Sequence, residues 1–66
     1  MDIRKYVGQT IEMIYLDRHS RFTKRRVKIK SVDGQIVRAY CLEQQGPRVF
    51  RQENILAIQS VNRHAI

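Results

Sequence analysis

The sequence predicts an all-β fold, namely a small and strongly bent antiparallel sheet or partly open barrel. Three observations support this prediction: four or five short segments rich in β-branched and aromatic residues, tight-turn signals between them, and no long helix-forming stretch. A chain of 66 residues has room for one core only. We therefore expect a single domain that covers residues 1–66.

The N-terminal elements are predicted to be a short helical turn and a strand. Asp2 can accept hydrogen bonds from the free N–H groups of a turn over Ile3 to Tyr6, and Gly8 can end that turn. Residues Thr10 to Leu16 are mostly β-branched, aromatic or aliphatic, and a polar segment follows them directly. They form the first predicted strand.

The second strand is predicted from Phe22 to Val32 by the alternation of its side chains. Val27 and Ile29 share one parity with Thr23 and Arg25, and we expect these two apolar residues to face the core. The other parity is occupied by basic residues: Lys24, Arg26, Lys28 and Lys30. Asp33-Gly34 follows and is the strongest hairpin signal in the sequence, because a type I′ turn needs positive φ at both central residues. This turn should join the second strand to a third.

The third strand is predicted from Gln35 to Glu43, with Val37, Ala39 and Cys41 packed inward. Cys41 is interpreted as an inert buried thiol, because no motif supplies an adjacent base. As the single cysteine it cannot form an intramolecular disulfide, which fits a reducing compartment.

The C-terminal part is predicted to contain a turn, two strands and one helical turn. Residues 44–47 include a glycine and a proline, which favour a turn. A short fourth strand then runs from Arg48 to Gln52, and its Phe50 is the residue most strongly expected in the core. One helical turn over residues 53–56 precedes a fifth strand that ends near Val61.

The charge balance indicates a polyanion as the partner. Thirteen Lys and Arg against six Asp and Glu give a net charge of +7. The segment from Arg18 to Lys30 holds seven Lys and Arg and no carboxylate, and such a patch can neutralise phosphates and release counterions. The alternative is a solvated strand whose charge prevents aggregation. The candidate phosphate contacts here are Lys24, Arg26 and Lys28.

Tyr40 and Arg38 share one face of the third predicted strand. An aromatic ring beside a guanidinium can stack a base while the guanidinium pairs with its phosphate. A buried core tyrosine and a solvated arginine are the alternatives. We expect Phe22, Tyr15 and Phe50 in the core instead, because a small sheet needs its few large side chains inside.

The sequence contains no arrangement of residues that is typical of an enzyme active site. His19 and His64 lie far apart, belong to no cluster with metal-ligand spacing, and are interpreted as surface residues. The six carboxylates form no pair that spacing would bring together, and no phosphate-cradling glycine motif is present. We therefore expect no catalytic activity, no metal and no cofactor.

The longest apolar runs, around Met13 to Leu16, are too short to span a bilayer, so we expect a cytoplasmic protein without membrane partners.

The segment Ala39-Tyr40-Cys41, followed by Arg48-Val49-Phe50-Arg51 and Ile55, resembles the core of the WYL domain, an Sm-like SH3-type barrel of bacterial transcription regulators. Further similarities upstream extend the resemblance to roughly Thr10 to Val61, and they are found at Ile14-Tyr15, Asp17, Thr23 and Asp33-Gly34. The family tripeptide itself falls at Gln35-Ile36-Val37 and lacks its Trp and Tyr, and a later family arginine falls at Asn54.

The resemblance implies a five-stranded antiparallel SH3-like or Sm-like barrel that senses a nucleic-acid or nucleotide-like ligand. Such domains usually follow a DNA-binding helix-turn-helix domain. The ligand-facing residues that match the family pattern are Tyr40, Arg48 and Arg51. One edge of the family site is altered by the asparagine at position 54.

The sequence thus supports a nucleic-acid- or nucleotide-binding regulatory module in which Arg38, Arg48 and Arg51 contact phosphate and Tyr40 lies beside a base. An alternative is a structural or protein-interaction module whose sheet edges pair with another copy, forming a homodimer, while its charge serves solubility. A third hypothesis, Sm-like RNA binding, requires assembly into a ring. Single-stranded DNA, RNA and a free nucleotide all stay open as ligands, because they present phosphates and bases to the same residue types.

Overall fold

The structure is a computed structural model in which residues 3–61 are described, so that Asp2 and His64 lie outside the described residues. A 3-10 helix, η1 (Ile3–Tyr6), begins the fold. Five strands and a second 3-10 helix follow it: β1 (Thr10–Leu16), β2 (Phe22–Asp33), β3 (Ile36–Cys41), β4 (Gly46–Arg51), η2 (Gln52–Asn54) and β5 (Ile55–Ser60). The predicted all-β class and the short helical turn at the N-terminus are confirmed.

All five strands form one antiparallel sheet in the order β4-β3-β2-β1-β5. The first four strands follow one another as hairpins, and β5 returns to pair with β1. Within residues 3–61, β4 and β5 do not pair with each other. The sheet is therefore bent but open, and it does not close into a barrel.

The length of β2 explains how the sheet bends. Its residues 22–28 pair with β1 and its residues 27–33 pair with β3, so the two hairpins are offset along one strand. Between Ile29 and Ser31 the register shifts, which leaves Lys30 as the extra residue of a bulge. A bulge bends its strand and increases the local twist, and this favours a sheet that curves around its own core.

The core lies on the concave face of the sheet and follows the predicted alternation. The six residues expected inside are all buried, with at most 3% of their surface exposed: Val27, Ile29, Val37, Ala39, Cys41 and Phe50. Ile11 and Met13 of β1, Ile55 of β5 and Ile3 of η1 complete the cluster. The N-terminal turn is fixed to the sheet because Gly8 N–H donates to the Ile29 carbonyl at 2.8 Å.

Phe22 was expected in the core, and this expectation is wrong. The residue is 72% exposed and lies opposite Leu16. The alternation of β2 explains the difference, since Phe22 has the parity of Lys24 and not that of Val27. Tyr15 is half-buried, and its ring packs edge-on against Phe50 with centroids 4.9 Å apart.

Two turns differ in detail from the sequence prediction. The hairpin after β2 is present, but its central residues are Gly34 and Gln35, and only Gly34 has positive φ (62°). This pattern is typical of a type II′ turn, which needs glycine at its first central position. In the turn before β4, Gln45 takes a positive φ (55°), while Gly46 and Pro47 already belong to the strand and not to the turn.

Candidate nucleic-acid interface

The seven candidate ligand-binding residues divide between the two faces of the sheet. Partners in an antiparallel register point to the same side, so Arg48, which pairs with buried Ala39, lies on the concave face. Tyr40 and Arg38 lie on the convex face, and so does Arg51, which pairs with Ile36 and alternates with buried Phe50. The expectation that these arginines and the tyrosine form one site is therefore wrong for Arg48. The β2 cations share the convex face with Tyr40: Lys24, Arg26 and Lys28.

We call the group formed by Lys24, Arg26, Lys28, Arg38 and Tyr40 the basic face. Lys28 is the register partner of Tyr40, so the ammonium and the ring are direct cross-strand neighbours. Tyr40 is 36% exposed and lies outside the buried core, which excludes the alternative of a core tyrosine. Arg26 forms an ion pair with Glu12 of β1 at 3.7 Å, whereas the other basic side chains of this face have no carboxylate partner within residues 3–61.

A second basic surface lies at one end of the concave face, and we call it the arginine cleft. Its volume is about 440 Å³, and it opens between the β1–β2 loop and β4. Its basic residues come from three parts of the chain. They are Arg18 and His19 of the loop, Arg25 of β2, and Arg48 and Arg51 of β4. Its aromatic residues are Tyr15 and Phe50, and Asn54 lies at its edge.

The loop that borders the arginine cleft is held by Asp17. Its carboxylate oxygen Oδ1 accepts hydrogen bonds from the backbone N–H groups of His19 at 2.8 Å and Arg21 at 2.9 Å. The bond from Arg21 is the main reason that the pKa of Asp17 lies below its ordinary value, and the bond from His19 adds to it. Of the residues that the structure describes, Asp17 is the one carboxylate lining the cleft, and its charge is thus directed into its own loop.

The floor of the cleft is built from the aromatic pair and Arg25. The guanidinium carbon of Arg25 lies 5.9 Å from the centroid of the Phe50 ring, within cation–π range. Arg25 Nε donates to the Thr23 hydroxyl at 3.3 Å, and that hydroxyl donates to the Tyr15 carbonyl at 3.1 Å. Arg25 is therefore oriented from two sides, and its charge is fixed close to the core.

The arginines of β4 have weaker partners. Arg51 Nη1 contacts Glu53 Oε2 at 3.1 Å, but both side chains are more than half exposed, and such a surface pair contributes little. Arg48 Nη1 donates to the neutral amide oxygen of Gln44. The side chain of Arg18 has no hydrogen bond or ion pair within the described part of the chain. These guanidinium groups can therefore turn to an anionic ligand.

Sequence reasoning missed Arg25, although a signal was present. Arg25 has the inward parity of Val27 and Ile29, so a cation stands in a position where the alternation calls for an apolar side chain. Such a departure from the pattern favours a functional role. Arg18 and His19 carried no comparable signal, because a loop does not fix the direction of its side chains.

Within residues 3–61, no group of three or more His, Cys, Asp or Glu side chains is placed to hold a metal ion. No helix in the same range is long and apolar enough to cross a bilayer. No family model matches this sequence, and no curated protein or solved structure shows a match to it. The resemblance to the WYL domain thus rests on the residues named above.

Proposed function

We propose that this protein is a non-catalytic regulatory module of WYL type that binds single-stranded nucleic acid or a nucleotide-like anion. The observation that supports this most strongly is the arginine cleft, in which Arg25 lies over the Phe50 ring and Arg48 and Arg51 of β4 line the same opening. A planar guanidinium matches phosphate through two parallel hydrogen bonds. Phosphate suits this cleft better than an uncharged group, because four arginines and one carboxylate of residues 3–61 line it.

Arg48 and Arg51 supply the contacts that a phosphate can take over. The ion pair between Arg51 and Glu53 is exposed, so its loss costs little free energy. Arg48 now donates to the neutral oxygen of Gln44, and a phosphate oxygen is the stronger acceptor. Arg25 stays in place on the Phe50 ring and contributes a fixed positive charge.

The basic face supplies a second surface for a polymer. Lys24, Arg26 and Lys28 occupy every second position of β2, so their Cα atoms follow one another at about 6 to 7 Å. Successive phosphates of an extended single strand are spaced similarly. A strand that lies along β2 can meet one cation per phosphate, and Tyr40 beside Lys28 offers a ring on which a base can stack.

The test is a titration with a panel of oligonucleotides and nucleotides at several salt concentrations. For single strands we expect the logarithm of the binding constant to fall linearly with the logarithm of salt, with a slope of about −0.7 per phosphate contact. Arg51→Ala removes one such contact and should reduce the slope by about 0.7 for every base sequence. Lys5→Ala is the matched control, because it removes one positive charge from η1, outside both surfaces.

Absence of binding to every oligonucleotide and nucleotide at low salt would reject the proposal. The protein-interaction alternative would then take its place. One observation favours that alternative: large apolar side chains are exposed at the sheet margins, with Val49 60% and Leu56 45% exposed. Isolated exposed residues of this kind are also common on monomeric proteins, so the arginine cleft is the stronger support for a function.

A further inference from the structure

The two edge strands of the open sheet differ in how far they are protected against pairing with another chain. On β4 the hydrogen bond from Gln52 N–H to the Gln35 carbonyl fixes the alternation, so the N–H groups of residues 47, 49 and 51 point away from β3. Pro47 has no N–H group, and Arg51 N–H donates to the Tyr15 hydroxyl at 3.1 Å. The edge of β4 is thereby partly protected against pairing with a strand of another chain.

The edge of β5 has no proline and no side chain bonded to its outward N–H groups within residues 3–61, although the register with β1 shifts at Leu56. The hydrogen bond from Val61 N–H to the Thr10 carbonyl fixes its alternation, so the N–H and C=O groups of Ile58 and Ser60 point away from β1. Within residues 3–61 no other strand pairs with this edge. Of the five strands in that range, β5 alone carries no charged residue, and it contains no proline.

We propose that the edge of β5 pairs with β5 of a second copy of this chain, antiparallel and across a two-fold axis at Ile58. In this register Ile58 faces its own symmetry mate, and Ser60 of each copy faces Leu56 of the other. Ile58 and Ile58 of the second copy then exchange both backbone hydrogen bonds, which pairs groups that point away from β1 within the described residues. The result is a continuous sheet of ten strands.

The charge distribution favours a second copy as the occupant. Two copies that each carry +7 repel one another, and any contact through β2, β3 or β4 brings arginines or lysines together. Across β5 the facing residues are neutral: Leu56, Ala57, Ile58, Gln59 and Ser60. The edge of β5 is thus where two such basic chains can meet with the least repulsion.

A small cavity beside the same edge supports this pairing. It measures about 80 Å³ and is lined by Ile3, Gln52, Ile55 and Ile58. Ile58 is only half-buried in the single chain. Because Ile58 points to the concave side together with its register partner Met13, a symmetry-related Ile58 would lie beside this cavity and cover apolar surface.

The experiment measures the mass of the full chain in solution against concentration by sedimentation equilibrium. The wild type should be in reversible monomer–dimer equilibrium. The double variant A57K/Q59K should weaken dimerisation by roughly tenfold, because position 57 of one copy faces position 59 of the other and two pairs of like charges arise. Val49→Lys is the matched control on the edge of β4 and should leave the dimer in place. Both edges are thus probed by adding lysine at exposed positions.

Amide hydrogen exchange gives an independent readout that does not depend on a variant. The N–H groups of Ile58 and Ser60 should exchange more slowly as the wild-type concentration rises, while that of Val49 should not change. A wild type that stays monomeric at millimolar concentration overturns the proposal, and so does a dimer that Val49→Lys dissociates and A57K/Q59K leaves intact. Neither result bears on whether oligonucleotides bind.

Discussion

The arginine cleft and the basic face are both cationic, yet they relate differently to the core. The cleft shares Phe50 with the buried cluster, and its Arg25 occupies an inward position of β2. The basic face shares no residue with that cluster, and each of its side chains stands on the convex side. The comparison shows that one site is built into the packing of the sheet, whereas the other is added to its surface. Substitutions should therefore separate the two.

The largest effect is expected for Phe50→Ala, which removes a ring that is 2% exposed and touches both Tyr15 and Arg25. We expect a loss of about 3 to 5 kcal/mol in the free energy of unfolding, enough to unfold much of so small a domain. Thermal and urea denaturation followed by circular dichroism would measure it. Val49→Ala, on the neighbouring exposed position, should change stability by less than about 0.5 kcal/mol. Equal effects of both variants would contradict the link between cleft and core.

A middle-sized effect should distinguish stacking on the basic face from charge in the cleft. Tyr40→Ala should weaken binding of a single-stranded oligonucleotide by about 1 to 3 kcal/mol. The same variant should leave the affinity for a mononucleotide unchanged if that ligand occupies the cleft. Arg48→Ala should weaken both ligands, by about 1.5 to 3 kcal/mol for a charge-assisted contact. Isothermal titration with each ligand would show whether the two surfaces bind independently. If only Tyr40→Ala weakened mononucleotide binding, the cleft would not be a separate site.

A smaller effect is expected for Tyr15→Phe, which removes the hydroxyl that accepts the Arg51 N–H bond but keeps the ring against Phe50. The loss of one neutral hydrogen bond should cost about 0.5 to 1.5 kcal/mol of stability. Amide exchange at Arg51 should accelerate by more than that at Val37, which lies deeper in the sheet. Unchanged exchange at Arg51 would show that this hydroxyl does not protect the strand edge.

The smallest effect concerns Asp17 and pH. Because the pKa of Asp17 is lowered in the folded protein, its stabilising contribution is present above the ordinary Asp value near 3.8 and is lost as pH falls through the lowered folded value. Asp17→Asn should remove this part of the acid dependence while leaving the sheet intact. The chemical shifts of His19 and Arg21 amide protons, followed from pH 6 to pH 2 by NMR, would report it. A profile that the variant shares with the wild type would assign the titration to another group.

Much of the fold followed from side-chain alternation, because a period of two is a local property of each strand. The parities of β2 and β3 placed Val27, Ile29, Val37 and Cys41 inside correctly. The prediction that Phe22 lies in the core was wrong because it followed from the size of the side chain and not from its outward parity. The hairpin after β2 was located correctly, but its turn type depends on which pair of residues closes it, and that is set by the strand register.

The site was harder to predict, because it depends on register between strands and not on order along one strand. Tyr40 and Arg48 are close in sequence and carry the motif of the resembled family, yet the register puts them on opposite faces. Arg25 and Arg48 come together only because the bent sheet brings the start of β2 near β4. Neither β2 nor β4 alone specifies how close Arg25 and Arg48 come to each other.

The return of β5 to β1 has a consequence for how the chain folds. The β1–β4 meander consists of hairpins that each join neighbours in sequence, so its strands can pair through short loops. Docking of β5 instead brings together the two ends of the described chain, where Ile11 meets Ser60, and has a larger loop-closure entropy to overcome than the short hairpins. We expect β5 to join the sheet last and to detach first, so that the earliest opening of the native protein uncovers Met13 and the middle of β1.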